Sequence, residues 1–366
     1  FVVKIKNNMR VCILGGGLTS LTLAQALVNQ KIHVDIIDSK KPIIQSKFRT
    51  IGISKTNVEF FNKYIVNIDN IIWNINKIEI FSENLKNEKL INFQKKNDYL
   101  FSILKNHNLL EILKKKLIKN KYFSKLNEKV KKNFFKDYSL VINTDPHHNI
   151  SKKYFNRKIE KKYNSCAYIT IIEHEKNPNK TAFQIFTKRG PLAFLPLSNF
   201  ETSIVYSMKN QTNKFNENLG ELIKKYGFKF KIKKIHKIQN FELNAVNLRN
   251  YHFMNILAFG DLLHKIHPLA GQGFNMTIRD MTNLIKIINN KISIGLPLDS
   301  SICREFEKTL RHKNFIFSNG IDLIYELFNF ENKINNSFLA KTIQSIGKNS
   351  YLNKTLINAA DKGLII

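Results

Sequence analysis

Residues 9–20 read MRVCILGGGLTS, and this stretch decides the fold. A short apolar run from Arg10 to Leu14 leads into three glycines, which is typical of a buried strand that enters a tight turn. Apolar residues then recur at helical spacing from 18 to 29, and a second apolar run from 32 to 37 ends at Asp38. The first forty residues therefore predict a strand–helix–strand unit.

The turn after the first strand has a Gly-x-Gly-x-x-Gly frame in which Ser20 replaces the third glycine. Gly15 and Gly17 lack a Cβ, which permits the tight turn and lets backbone amides approach a pyrophosphate at the helix N-terminus. Ser20 is small enough to keep the helix close to the strand. Asp38, about twenty residues later, can accept hydrogen bonds from an adenosine ribose. These features predict dinucleotide binding but do not decide between NAD and FAD.

A second motif, FGDLLHKIHPLAGQGFNMTIRD at residues 259–280, follows a predicted buried strand at 254–259 and leads into a predicted helix at 276–290. It resembles the second flavin motif of the class A flavoprotein hydroxylases, the para-hydroxybenzoate hydroxylase family. The HPLAGQG form is typical of the ubiquinone-biosynthesis hydroxylases within that family. The resemblance implies that the dinucleotide is FAD.

The resemblance also assigns roles within the second motif. Asp261 would hold the ribityl and phosphate region of FAD, and Pro268 would lie beside the isoalloxazine, where its fixed φ shapes the pocket. The turn that opens the helix would face the flavin pyrimidine ring, because a helix N-terminus stabilises the negative charge of reduced flavin. The cofactor-binding residues implied in this motif are Gly260, Asp261, Pro268, Gly271, Gln272, Gly273 and Asn275.

The match extends beyond the two motifs. Arg49, in RTIGIS, corresponds to an arginine thought to meet the flavin or its phosphates, with a plain surface arginine as the alternative. Residues 190–207 and 311–330 are also similar to the family. In the middle motif, NTDPHHNIS at 143–151, Asp145 matches a family aspartate that contacts both FAD and the nicotinamide nucleotide, but Pro146 replaces a glycine. The resemblance implies NADPH or NADH as the reductant. The replacement of the glycine by Pro146 argues against direct reduction by that nucleotide.

The predicted fold is α/β, with a Rossmann-like FAD-binding domain of the GR2 type, an inserted and mainly antiparallel substrate sheet, and a helical C-terminus. Residues 167–208 alternate in polarity and predict the strands of that sheet, while 56–125 are expected to be mostly helical. The predicted divisions are the first part of the FAD-binding domain at 9–70, its continuation at 71–160, the substrate sheet at 161–250, the second flavin motif at 251–295 and C-terminal helices at 296–366.

The implied activity is a flavoprotein monooxygenase that hydroxylates a polyprenylated phenol on the route to ubiquinone, by way of a flavin C4a-hydroperoxide. The flavin carries the chemistry, so no catalytic acid, base or nucleophile is assigned. Two alternatives stay open. One is another FAD oxidoreductase of the same fold, such as a prenyl reductase or a hydroxylase of a soluble aromatic compound, and the other is a degenerate flavin-binding scaffold subunit.

The composition limits the partners. The formal net charge of +31 would suit nucleic acid or an anionic membrane, but the basic runs are scattered, and no nucleic-acid module is recognisable. Three distant cysteines predict a reducing compartment without disulfides. His264 and His267 lie three residues apart, but no third ligand at a metal-like spacing accompanies them, and no metal site is expected.

The expected partners are O₂, a lipophilic aromatic substrate, a membrane surface and other quinone-biosynthesis proteins, and nucleic acid is not among them. No apolar run approaches the roughly 18 residues that a spanning helix needs, and no signal peptide is recognisable. A cytoplasmic location is expected, with peripheral attachment to the inner membrane as an option. Met9, just before the first strand, is expected to be the native start, with residues 1–8 an upstream extension.

Overall fold

The fold is known from a computed structural model, which describes residues 9–38, 47–83, 88–95, 97–126, 137–209, 215–268, 271–334, 341, 344 and 350–362. The predicted upstream extension at residues 1–8 lies outside the described residues.

The strands are, in chain order, β1 (Arg10–Leu14), β2 (His33–Ile37), β3 (Thr50–Ser54), β4 (Trp73–Ile75), β5 (Lys77–Ser82), β6 (Lys89–Gln94), β7 (Phe101–Lys105), β8 (Phe123–Leu126), β9 (Leu140–Asn143), β10 (Lys158–His174), β11 (Thr181–Thr187), β12 (Gly190–Pro196), β13 (Glu201–Lys209), β14 (Ile232–Ile235), β15 (Gln239–Leu248), β16 (His252–Phe253), β17 (Ile256–Ala258) and β18 (His264–Lys265). The α-helices are α1 (Leu18–Val28), α2 (Lys55–Phe60), α3 (Asn106–Ile118), α4 (Asn149–Tyr154), α5 (Phe215–Tyr226), α6 (Gln272–Ser293), α7 (Ser300–Ile334) and α8 (Ser350–Lys362). A π-helical turn (Phe61–Ile65) and two 3₁₀ turns (Asp69–Ile71 and Gly260–Leu262) complete the described elements.

The first sheet has the strand order β16-β17-β9-β1-β2-β8 and is parallel apart from the β16–β17 pair. The predicted strand–helix–strand unit is confirmed, with β1 parallel to β2 and Leu14 opposite Ile37. Four of the five β1 residues are buried, because a central strand of a parallel sheet is covered on both faces. Helices α1, α3, α6 and α7 contribute to the same hydrophobic core.

The second sheet contains the predicted antiparallel strands. β11, β12 and β13 are sequential neighbours, and β13 returns to pair with β10, so the strand order is β18-β15-β10-β13-β12-β11-β5-β6, with β14 also on β10. The register between β10 and β15 shifts between Lys162 and Ser165, and Asn164 has a φ of 48°, as expected of a residue at a bulge. Helix α5 covers the core of this sheet.

The mostly helical prediction for residues 56–125 is wrong. Strands β4 to β8 occupy much of this segment, and β5 and β6 extend the second sheet, with β5 parallel to β11. On β5 the two buried side chains are Glu79 and Ser82. Ile78 and Ile80 alternate with polar residues, but the fold buries the polar side of the strand, so the apolar positions do not mark the buried face.

A third, three-stranded sheet has the antiparallel order β3-β7-β4. It places Gly52 of β3 beneath the second motif, as described below. The predicted strand and helix around that motif are confirmed with shifted ends, since the strand is β17 and the helix is α6. The predicted fold class is confirmed, including helices in the described C-terminal residues. The division into five segments stays a prediction.

Candidate functional site

The glycine turn between β1 and α1 has the geometry that the first motif predicts. Gly15 has a φ of 115°, and its N–H donates to the Ile37 carbonyl at 2.9 Å. Gly17 occupies the N-cap position of α1, where no side chain caps the helix. A Cβ added to Gly17 would meet no atom within 4 Å. The positive end of α1 therefore faces open space at a residue without a side chain.

Asp38 lies directly over this turn. A Cβ on Gly16 would lie 2.2 Å from an Asp38 carboxylate oxygen, so the carboxylate packs where only glycine leaves room. Lys125 Nζ approaches the same carboxylate at 3.8 Å, and both side chains are partly exposed. The acidic residue at the end of β2 is thus within reach of a ligand bound at the turn.

Ser20 and Asp145 lie on the inner side of the glycine turn. The Ser20 hydroxyl hydrogen-bonds to Thr144 Oγ1 at 2.7 Å, and Thr144 Oγ1 lies 2.5 Å from the position of a Cβ on Gly15. The Cβ of Asp145 lies 3.6 Å from the position that a Cβ on Gly15 would take. The Oδ1 of Asp145 accepts the His147 N–H at 2.8 Å. The middle motif therefore meets the first motif through Thr144 and Asp145.

Gly260 brings the second motif against the first. Its φ is 63°, and a Cβ there would lie 2.8 Å from Thr19 in the first turn of α1. Asp261, which follows, is exposed at the start of a 3₁₀ turn. The two motifs, some 240 residues apart in sequence, are adjacent in space.

The Gly271 turn opens α6. Gly271 is the N-cap residue with a φ of 63°, and no side chain caps the helix. Its N–H donates to the Pro268 carbonyl at 3.2 Å. Gln272 is buried, and its Oε1 has no hydrogen-bond partner among the described residues. A Cβ on Gly273 would meet only Ile266, at 4.0 Å.

Asn275 fixes this turn to the third sheet. Its Oδ1 accepts the Ser54 N–H at 2.9 Å and an Asn57 side-chain N–H at 2.8 Å. Its Nδ2 donates to the carbonyls of Gly52 and Gly271 at 3.0 and 3.1 Å. Both ends of the amide have protein partners, so the side chain is placed to hold the turn rather than to reach a ligand.

The two histidines of the second motif differ. His264 Nε2 hydrogen-bonds to the buried Asp280 carboxylate, which also accepts from Asn314 at 3.0 Å. His267 is fully buried, with both ring nitrogens unpaired within the described part of the chain. Burial, together with the positive charge of Lys161, lowers the pKa of His267 to about 3. Groups of three or more metal-ligating side chains are absent from the described ranges.

His267 packs against two tyrosines. Its ring stacks on Tyr325 with centroids 4.0 Å apart, and Tyr163 meets it edge-on at 5.0 Å. The Tyr163 hydroxyl donates to Asp322. Tyr163 and Tyr325 also line a cavity of about 340 Å³, together with Lys162, Asn164, Lys209 and Glu326. The cavity therefore lies next to the segment that carries Pro268.

Arg49 is exposed just before β3. Its carbonyl accepts the Asn106 N–H at 2.9 Å. An exposed position is compatible both with a contact to the flavin or its phosphates and with a plain surface arginine.

Several residues that shape the site could not be identified from the sequence. A Cβ on Gly52 would lie 2.1 Å from the Phe101 ring, and the Phe101 ring is also 3.6 Å from the Cβ position of Gly271. Thr19 and Thr144 pack against glycines of other segments in the same way. Each contact joins segments distant in sequence, so no local pattern could reveal it.

These residues fit an FAD molecule. Two helix N-termini lack side-chain caps, at Gly17 and Gly271, and the space at Gly17 is open. Backbone N–H groups there could hold the pyrophosphate and the pyrimidine edge, while Asp38 is placed for the ribose. The roles of the individual residues remain proposals.

Known proteins support this assignment. A family model described as "FAD binding domain" matches residues 171–293. The p-nitrophenol 4-monooxygenase of Pseudomonas putida superposes with a TM-score of 0.78 at 11% identity, over 98% of this chain and 100% of that chain. HpxO of Klebsiella pneumoniae, solved with FAD and uric acid, superposes with a TM-score of 0.75 at 12% identity, over 98% and 97%. The fold is that of the FAD-dependent monooxygenases, and FAD is the cofactor that the matches support.

Among curated proteins, 3-demethoxyubiquinol 3-hydroxylase of Escherichia coli is 30% identical over 172 residues, covering 45% of this chain and 44% of the relative. The ubiquinone biosynthesis monooxygenase COQ6 of Dictyostelium discoideum is 25% identical over 225 residues, covering 50% and 44%. The chain thus spans about half the length of the curated relatives it matches. The resemblance to ubiquinone-biosynthesis hydroxylases is confirmed at this level.

Proposed function

We propose that the protein is an FAD-dependent monooxygenase that hydroxylates the aromatic ring of a polyprenylated phenol in ubiquinone biosynthesis. The observation that carries the proposal is the contact between the two motifs, where Gly260 packs on Thr19 and both helix N-termini are left without side-chain caps. The curated relatives support the substrate class.

The overall reaction would consume O₂, a phenol, a proton and NAD(P)H, and would yield the hydroxylated phenol, water and NAD(P)⁺. Bound FAD would pass the electrons from NAD(P)H to O₂ and would transfer one oxygen atom to the ring. The turn at Gly15 and Gly17 would bind the pyrophosphate, and Asp38 and Asp261 would bind the ribose and ribityl groups. The α6 N-terminus at Gly271 would stabilise negative charge on the pyrimidine ring, since its positive end needs no titrating side chain.

The substrate ring would lie on the Pro268 side of the Gly271 turn. The nearby cavity of about 340 Å³ has the size of a small-molecule site, with two tyrosines as aromatic walls and four polar or charged residues as the rest of its lining. His267, uncharged at neutral pH because its pKa is lowered to about 3, would help to keep water away from this region. No acid, base or nucleophile is assigned to the chain.

NADPH or NADH is the proposed electron donor. Asp145, the family's shared contact, lies beside Gly15, which supports this proposal. Pro146 in place of the family's glycine speaks for a scaffold subunit as a second candidate function, in which flavin is bound but is not turned over.

The visible absorption spectrum of the purified protein, recorded before and after anaerobic addition of NADPH, tests these proposals. We expect flavin bands that bleach with NADPH. Bands that persist with both NADPH and NADH would favour a scaffold or another donor, and a protein that takes up no added FAD would refute the proposed function. Oxygen uptake with a phenolic substrate separates a hydroxylase from a prenyl reductase, which consumes no oxygen.

We also propose a peripheral membrane contact through α7. Within the described residues, no helix is long and apolar enough to span a membrane. The first half of α7 exposes basic side chains, among them Lys308, Arg311 and Lys313. From Phe315 onwards the same helix exposes large apolar side chains, namely Phe315, Ile316, Leu323, Ile324 and Phe330. Cationic and apolar groups on one helix suit an anionic lipid surface.

Co-sedimentation with vesicles tests the membrane contact. We expect the protein to bind phosphatidylglycerol vesicles more than phosphatidylcholine vesicles, and the double variant Leu323→Ser, Ile324→Ser to bind less. Phe228→Ser is the control, because Phe228 is 78% exposed but lies elsewhere. Equal losses in the two variants would contradict a specific role for α7.

A further inference from the structure

Helix α8 packs against the junction between β3 and α2, and its residue Asp361 hydrogen-bonds to that junction. The Asp361 carboxylate accepts the Thr56 N–H through Oδ1 and the Thr56 hydroxyl through Oδ2, each at 3.0 Å. The Asp361 carbonyl accepts the Ser54 hydroxyl, also at 3.0 Å. Three hydrogen bonds thus join residues about 300 positions apart.

Asp361 supplies the cap that α2 lacks. Ser54 is the N-cap residue of α2, but its side chain makes no capping hydrogen bond. A carboxylate that accepts an N–H in the first turn is the usual stabilising partner at this end of a helix, both as an acceptor and as a negative charge. Here that carboxylate comes from α8 instead of from the preceding residue.

The capped junction is also the one that holds the Gly271 turn. The Ser54 N–H and the Asn57 side chain both donate to Asn275 Oδ1, at 2.9 and 2.8 Å. Asn275 Nδ2 in turn donates to the Gly271 carbonyl at 3.1 Å. A continuous series of hydrogen bonds therefore runs from Asp361 through α2 and Asn275 to the turn that opens α6.

Asp361 has a second effect on α6, through charge. Arg279 lies one turn beyond Asn275, and its two terminal guanidinium nitrogens are buried without a hydrogen-bond partner in the described part of the structure. Burial lowers the pKa of Arg279 to about 10, while the negative charges of Asp280 and Asp361 act against that decrease. Asp280 is already engaged with His264 and Asn314. Asp361 thus supplies counter-charge to α6 from another helix.

We propose that α8 is a clamp on the Gly271 turn and that Asp361 is its positioning residue. The effect of this clamp on FAD binding rests on the proposed function. Retention of FAD then depends on a carboxylate that holds the cofactor's turn without being part of either flavin motif.

The test compares Asp361→Ala with Asn358→Ala, which changes an exposed residue on the same helix. We expect Asp361→Ala to raise the FAD dissociation constant on the order of tenfold, from the loss of a cap and its charge. In the protein without FAD, amide hydrogen exchange should accelerate at residues 271–275 and at α2. Asn358→Ala should change neither quantity, and Asp361→Asn, which keeps an acceptor for the Thr56 N–H but removes the charge, should recover part of the affinity.

Parental FAD affinity together with parental exchange in Asp361→Ala would overturn the clamp. A uniform rise in exchange along the whole chain would overturn it too, since that is the result of general destabilisation. If Asp361→Ala does not fold, Thr56→Val removes only the hydroxyl contact and should show the same local acceleration to a smaller extent. A parent protein that does not bind FAD would refute the proposed function, while the exchange measurement would still decide the clamp.

Discussion

Two glycines of the first motif, Gly15 and Gly17, meet different physical demands. Gly15 has a φ of 115°, and a Cβ there would lie 2.5 Å from Thr144 Oγ1. Gly17 has a φ of −79° and open space around it, so an alanine could adopt its conformation. Gly15 is therefore required by the protein itself, whereas the absence of a side chain at Gly17 matters to a ligand.

We expect Gly15→Ala to destabilise the protein by about 1–3 kcal/mol, because of strain and the close contact. Gly17→Ala should change stability by less than about 0.5 kcal/mol but weaken FAD binding, because the new methyl group would occupy the space of the pyrophosphate. Urea denaturation and FAD titration measure the two effects. If Gly17→Ala binds FAD as tightly as the parent, the pyrophosphate is not at this turn.

His267 should make stability depend on pH. Its pKa in the folded protein, about 3, lies below its ordinary value of 6.5, so the unfolded state takes up a proton first as the pH falls. The stabilisation is complete above about pH 6.5 and decreases towards pH 3, by about 2 kcal/mol at about pH 5. His267→Phe keeps an aromatic ring against Tyr325 and should remove this part of the pH dependence. Parallel stability curves for parent and variant would contradict the prediction.

At the scale of elements, β5 shows how an edge of the second sheet is held by charge. Glu79 is 4% exposed at its side chain and forms ion pairs with Lys77 and Lys89, both at 2.8 Å. Burial acts to raise the pKa of Glu79, but the hydrogen bonds from the two lysines outweigh it and bring the pKa down to about 2. The pairing of β5 with β6 thus includes a buried ionised carboxylate.

We expect Glu79→Gln to cost about 2 kcal/mol at neutral pH, because Lys77, Lys89 and the more distant Lys229 lose a charged partner. The parent's advantage should be complete above about pH 4.5 and disappear as the pH falls towards 2, since protonation of Glu79 removes the same charge. Urea midpoints at several pH values measure it. Glu242→Gln, at an exposed position on β15, is the control, and an equal loss there would show that Glu79 has no special role.

At the scale of the whole molecule, a ligand at the candidate site would touch two segments that lie about 240 residues apart in sequence. The glycine turn after β1 and the turn before α6 are brought together by the Gly260–Thr19 contact, and the third sheet supports the second turn from below. A ligand that binds both turns should therefore stabilise the entire fold and not one segment.

We expect FAD to raise the melting temperature, with a stabilisation of about 2.7 kcal/mol when its free concentration is about 100 times its dissociation constant. FMN lacks the adenine and its ribose and so cannot reach Asp38. At the same concentration it should raise the melting temperature less than FAD does. Differential scanning fluorimetry with the two ligands measures this. An equal rise with FMN would exclude Asp38 as a cofactor contact.

Much of the fold was predictable because its signals are local. The β1–α1–β2 unit follows from a run of apolar residues, three glycines and helical spacing, all within thirty residues. Helix α6 could be predicted from the same kind of pattern. The place of β5 in the second sheet could not be predicted, since its buried positions are the polar Glu79 and Ser82 and one ion-pair partner of Glu79, Lys89, comes from the next strand.

The candidate site divides in the same way. The sequence alone determined which residues form the two glycine turns and where Asp38 follows, because backbone conformation without a Cβ is a local property. Only the tertiary structure decided that Gly260 packs on Thr19, that Asn275 is occupied by β3 and α2, and that Asp361 caps α2. These contacts depend on which surfaces meet after the chain has folded, and the packing of distant segments leaves no periodicity in the sequence.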